Sequence, residues 1–97
     1  MAQRRVVVGS SVGLHSRPAA LLVQAAARQP VPISIGKDGE EFVDARSILS
    51  VIGLDARGGD EVVLRAEGAE GSDAEAALDE LVAVIAANHD SGELNSA

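Results

Sequence analysis

Three side chains able to do chemistry fall in the stretch Gly13–Ala19, GLHSRPA, just where a helix is expected to begin. Ser16 reads as the N-cap and Arg17 as the first helical residue. Pro18 is tolerated there because its amide would have no helical partner. His15 then lies just outside the helix, beside backbone N–H groups that lack carbonyl partners and at the positive end of the dipole. Such a place favours an anion, and the guanidinium of Arg17 adds a fork suited to phosphate. A neutral imidazole is also a nucleophile, so a phosphoryl group could be bonded to His15 as well as merely bound near it.

The residues alone leave three readings open. His15 is phosphorylated, or the helix start binds a free anion, or His15 is an ordinary surface residue beside a cap. A hydrolase with His15 as general base fits less well. The motif offers no nucleophile with an orienting acid, and so small a domain has little room for a substrate pocket.

Composition narrows the classes further. The chain has 97 residues, a length that builds one core. Its hydrophobic share of 46% is nearly all aliphatic, with Phe42 the single aromatic residue. Base stacking on aromatic rings is therefore not expected, and a net charge of −7 argues against nucleic acid as a partner. No cysteine is present, which excludes disulfides and thiolate chemistry. The apolar run in the N-terminal MAQRRVVVGS is too short for a signal peptide or a membrane span, so a cytoplasmic location without membrane insertion is the expectation. No metal or other cofactor is expected.

The elements that must position His15 can be read from periodicity. Arg4–Gly9 is β-branched and predicts a strand. Ala19, Leu22, Val23 and Ala26 fall at helical spacing and predict a helix over Arg17–Arg28, ended by Gln29 and Pro30. Two alternating runs flank Asp38 and Gly39, a strong hairpin signal. Arg46–Leu54 predicts a short helix entered at Ser47, and Glu61–Ala66 a strand after a Gly-Gly turn. Ser72 and Glu75 stand in capping-box relation ahead of a last helix whose buried stripe is Leu78, Leu81, Val82 and Ile85. The order βαββαβα implies an α+β open-faced sandwich, with a four-stranded antiparallel sheet and helices on one face. One domain is expected over residues 1–90 and a flexible tail over 91–97, with His89 a plain surface residue. Strand order is not legible.

The stretch GLHSRPA closely resembles the active-site motif of the HPr family, the histidine-containing phosphocarriers of the bacterial phosphoenolpyruvate-dependent sugar phosphotransferase system. RSILSVIGL, Arg46–Leu54, resembles that family's regulatory-serine segment, and length and element order agree over nearly the whole chain. The resemblance implies that His15 accepts a phosphoryl group from Enzyme I at Nδ1 and donates it to EIIA domains of sugar permeases. Arg17 would steady the phosphoryl charge, while Pro18 shapes the helix start and Gly13 the turn. No metal is implied. A monomer is expected, and an HPr kinase or regulatory proteins are further candidate partners. A branch serving dihydroxyacetone kinase or nitrogen regulation, or a regulatory binding module on the same fold, would share these features. Retention of both His15 and Arg17 argues against the module.

The helical wheel indicates where partners would dock. With Ala19, Leu22, Val23 and Ala26 facing the sheet, Ala20, Leu21, Gln24 and Ala27 face outward with Arg17. Ile48, Leu49, Val51 and Ile52 give the short helix more apolar side chains than one buried face uses. Together they outline a patch around His15 suited to transient complexes, the arrangement the family uses. Family members often carry lysines on the first helix face, where this chain has Gln24 and Ala27, so steering toward acidic partners should be weaker. Ser47 has two readings, a helix cap or a residue that a kinase phosphorylates.

Overall fold

The computed structural model describes residues 2–11, 13–66 and 71–87. Its elements run β1 (Ala2–Val7), α1 (Ser16–Ala27), β2 (Ile33–Lys37), β3 (Val43–Asp44), α2 (Ile48–Gly53), β4 (Glu61–Ala66) and α3 (Ser72–Ala86). This is the expected βαββαβα order. His89, the expected tail and the domain limit at residue 90 lie outside the described residues.

The sheet is antiparallel throughout, in the order β1-β4-β2-β3. β4 thus lies between the first two strands, with Val62 opposite Val6 on one side and Leu64 opposite Ile35 on the other. Alternation assigns the faces. Val6, Val62, Leu64, Ile33 and Ile35 point inward to the core, where Leu22, Ala26, Leu78, Leu81 and Ile85 meet them from the helices. The core is wholly aliphatic. Phe42 lies on the opposite face, against Gly36, where the guanidinium of Arg65 stacks 3.8 Å from its ring centroid.

Local details depart from expectation. β1 ends at Val7 rather than Gly9 because the chain turns there toward the end of α3: Gly9 N–H donates to the Ile85 carbonyl at 3.0 Å. The Asp38-Gly39 turn forms: Glu40 N–H donates to the Lys37 carbonyl at 3.0 Å across it, with Gly39 at φ 83°. Strand pairing resumes only at Val43, so the connection between β2 and β3 is longer than the tight turn itself. The capping box at Ser72 does not form. Gly71, at φ 95°, is the N-cap and no side chain caps α3. The Glu75 carboxylate reaches across to Arg4 of β1 instead, and Asp79 joins them at 3.5 Å from Arg4 Nε. In α1, Ala25 joins the buried stripe while Val23 is half-buried, and in α3 Val82 is half-buried where Ala74 and Ala77 are fully covered.

Glu80 ties the end of α1 to α3. Its two carboxylate oxygens accept from Gln29 Nε2 at 2.9 Å and Arg28 Nη2 at 2.8 Å. The hydrogen bond from Gln29, and then that from Arg28, hold the Glu80 carboxyl below its ordinary range. A carboxyl lowered in the folded state stabilises above its unfolded value, about 4.3, and that stabilisation is lost as pH falls through the lower folded value. Glu80→Gln should therefore melt slightly below the wild type at neutral pH, by a few degrees at most because the pair is exposed. The gap should close in acid. Thermal melts at neutral pH and near pH 3 check this; a gap that widens in acid refutes it.

Candidate phosphoryl-transfer site

α1 starts one residue earlier than the sequence predicts. His15 is the N-cap, with φ −87° and ψ −166°, and its carbonyl accepts the first helical bond from Ala19 N–H at 2.9 Å. Ser16 is already helical. Had Ser16 been the cap, its hydroxyl would have had to bond Pro18, which has no N–H, or Ala19, whose N–H the His15 carbonyl holds. No side chain caps α1. Pro18 therefore sits in the third helical position and is buried, while Ser16 and Arg17 supply the leading amides. His15 and Arg17 are both exposed.

The loop before His15 is set by backbone packing. Gly13 has φ 82°, and its N–H donates to the Ser10 carbonyl at 3.0 Å. A Cβ added to Gly13 would lie 2.3 Å from the Ala56 carbonyl oxygen and 2.7 Å from the Arg57 Cα. Leu14 N–H then donates to that same Ala56 carbonyl at 2.8 Å. Gly58 is equally crowded from the other side, where its added Cβ would meet the Ser10 carbonyl oxygen at 2.5 Å. The two loops are seated main chain against main chain, which fixes where His15 emerges.

Between them lies a cleft of about 300 Å³, walled by His15, Ser11, Ile52, Asp55 and Arg57 over a floor of Leu14 and Ala56. Ser11, Asp55 and Arg57 escaped the sequence reading. They come from segments that read only as turns, and the loop-to-loop contact that gathers them leaves no local pattern. Among the described residues no His, Asp and Glu cluster could hold a metal ion.

A match over residues 2–87 to the family model described as the PTS HPr component phosphorylation site decides the family. The chain belongs to the HPr family. It is similar to the phosphocarrier protein HPr of Streptomyces coelicolor, 51% identical over 86 residues that make up 89% of each chain. It is 40% identical over 85 residues to the HPr-like protein Crh of Bacillus subtilis, covering 88% of this chain and 95% of Crh. Among solved structures, HPr of Bacillus anthracis superposes with a TM-score of 0.76 at 43% identity, over 87% of this chain and 95% of that one. The open-faced α+β fold is that of HPr, and the chain is an HPr phosphocarrier of the phosphotransferase system.

The surface next to the cleft can be compared with the expected docking patch. Leu21, Ile48, Leu49 and Ile52 are exposed, Leu49 by 81%. Gln24 and Ala27 are exposed and Ala20 is half-buried. Val51 is a correction. It is fully buried, because a helix of six residues packed beside α1 turns one side chain inward, and Val51 is that residue. α1 and α2 are neighbours, and Ile52 also walls the His15 cleft, so exposed apolar side chains of α2 lie beside the histidine. Ser47 is the N-cap of α2, with its Oγ accepting from Ser50 N–H at 3.4 Å. Among the described residues no helix is long and apolar enough to cross a membrane.

Proposed function

We propose that the phosphoryl group is carried on His15, taken from phosphorylated Enzyme I and passed to EIIA domains of sugar permeases. What supports this reading is that His15 is the exposed N-cap residue of α1, directly before Ser16 and Arg17, whose amides open the helix. A lone pair of the neutral His15 ring, at Nδ1 as in the family, attacks phosphorus on the donor histidine. The donor P–N bond breaks, its electron pair stays with the donor ring, and the PO₃ charge arrives where the helix amides and Arg17 meet it. Transfer onward reverses these roles. No metal takes part.

Docking on each partner uses the rim of Leu21, Ile48, Leu49 and Ile52, with Ala20, Gln24 and Ala27 at its edge. The chain acts in the cytoplasm as a monomer. Phosphorylation of Ser47 would place a dianion at the start of α2, inside that rim, and oppose docking on apolar or acidic surfaces. Incubation with phosphoenolpyruvate and a cognate Enzyme I tests the main reading: a gain of one phosphoryl mass on a histidine peptide is expected. No gain would favour the regulatory-module alternative on the same fold.

Arg17→Ala should slow phosphoryl acceptance by roughly a hundredfold, the usual loss for one donor aimed at developing charge. Its melting temperature should be that of the wild type, since the side chain is exposed. Rapid-quench transfer assays check the rate. Acceptance within about twofold of the wild type would remove Arg17 from the site.

A further inference from the structure

Of the eight Lys and Arg residues, Arg57 is the one that lines the cleft beside His15. The backbone brings the two together. Leu14 and Ala56 are hydrogen-bonded at 2.8 Å, and His15 and Arg57 are the residues that follow each of them. The main chain of Arg57 is clasped on both sides: its N–H donates to Asp60 Oδ2 at 2.9 Å, and its carbonyl accepts from Asp60 N–H at 2.9 Å. Only the guanidinium is left to move. It rests on Asp55, with Nη2 3.3 Å from Oδ2, through one contact between side chains that are 76% and 72% exposed.

Asp55 itself is unusual. It is the one non-glycine among the described residues at positive φ, 54°, directly after the C-cap of α2. Glycine fills that left-handed position without steric penalty. Aspartate is one of the few other residues that occupy it, and here its carboxylate sits in the cleft wall within reach of Arg57. Exposed pairs of this sort are weak and exchange easily. A phosphoryl group on His15 offers the guanidinium several charged oxygens and a forked geometry that the single Asp55 contact lacks.

We propose that Arg57 is a second positioning residue for the phosphoryl group, parked on Asp55 while His15 is bare and transferred to the phosphoryl oxygens once it is loaded. This rests on the phosphocarrier reading of His15. Asp55 then sets a resistance to loading: its carboxylate competes with phosphate for the same cation.

The test phosphorylates wild type, Arg57→Ala, Arg57→Lys, Asp55→Asn and the double variant with phosphoenolpyruvate and Enzyme I. The readouts are acceptance rate, the ³¹P resonance of the isolated phosphoprotein and the half-life of its phosphohistidine. Asn also tolerates the left-handed backbone, so D55N changes charge and leaves the turn intact. Arg57→Ala should lower acceptance about tenfold, less than an enclosed donor would because the site is open, and should shift the resonance and the half-life. Arg57→Lys should recover part of each. D55N should accept phosphate faster, and only while Arg57 is present. Labelled wild type with an unaltered R57A protein overturns the proposal and spares the phosphocarrier reading, as does a slowed R57A whose resonance and half-life are unchanged. A D55N gain that persists in the double variant also overturns it. Wild type that takes no label on His15 sinks both.

Discussion

His15→Ala protein, given phosphoenolpyruvate and Enzyme I, should gain no phosphoryl mass at any incubation time at which the wild type is fully labelled. The loss should be complete because, among the described residues, no second imidazole walls the cleft. The fold should survive. The imidazole is exposed and caps nothing, while the group that starts α1 is the His15 backbone carbonyl, which alanine retains. Stability should therefore stay within about 0.5 kcal/mol of the wild type, the usual range for surface changes. Mass spectrometry with a parallel thermal melt separates loss of the acceptor from loss of the domain. Labelling of the variant on a histidine would place the carrier residue elsewhere.

Gly13→Ala should harm both fold and transfer. Alanine at φ 82° is strained, and its Cβ would stand 2.3 Å from the Ala56 carbonyl oxygen, backbone that cannot swing aside as a side chain can. Left-handed strain and forced overpacking together put the loss at roughly 2–4 kcal/mol. For a domain of this length that is a fall in Tm of about 10 °C or more. If the loops instead separate to admit the methyl group, the Leu14–Ala56 hydrogen bond goes with them, and His15 moves relative to the start of α1. Phosphoryl acceptance should then fall at temperatures where the variant is still folded. A variant that melts within about 2 °C of the wild type would show that the loops are not seated as tightly as the distances indicate.

The sequence made some of this legible and hid the rest, for physical reasons. His15, Arg17 and Pro18 are contiguous, so their relation to a helix start could be read locally. The bounds of β4, Glu61–Ala66, are legible because an apolar run between glycines has few alternatives. At Ser16 and at Ser72 the sequence places the helix start one residue late. There a good capping side chain stands next to the residue that the backbone uses, and Pro18 or Arg4 takes away the partner the cap would need. Pattern puts Val51 outside because it counts apolar residues and cannot say which one a short helix turns inward. Strand order, and the meeting of the Gly13 and Gly58 loops, depend on contacts between distant segments that no window of sequence contains.

That β4 stands between β1 and β2 has a consequence for how the protein is made. β1 leaves the ribosome first, yet among the described residues its one neighbour in the sheet is β4, synthesised some sixty residues later. Until then the nascent chain can close the β2–β3 hairpin and form transient helical turns, but it has no sheet on which to bury them. Folding must wait for Glu61–Ala66 to emerge and then zip two strands at once, a late and cooperative event in which long-range closure sets the pace. A chain stalled before that strand would be unable to assemble its sheet, and would present bare strand edges to chaperones and proteases.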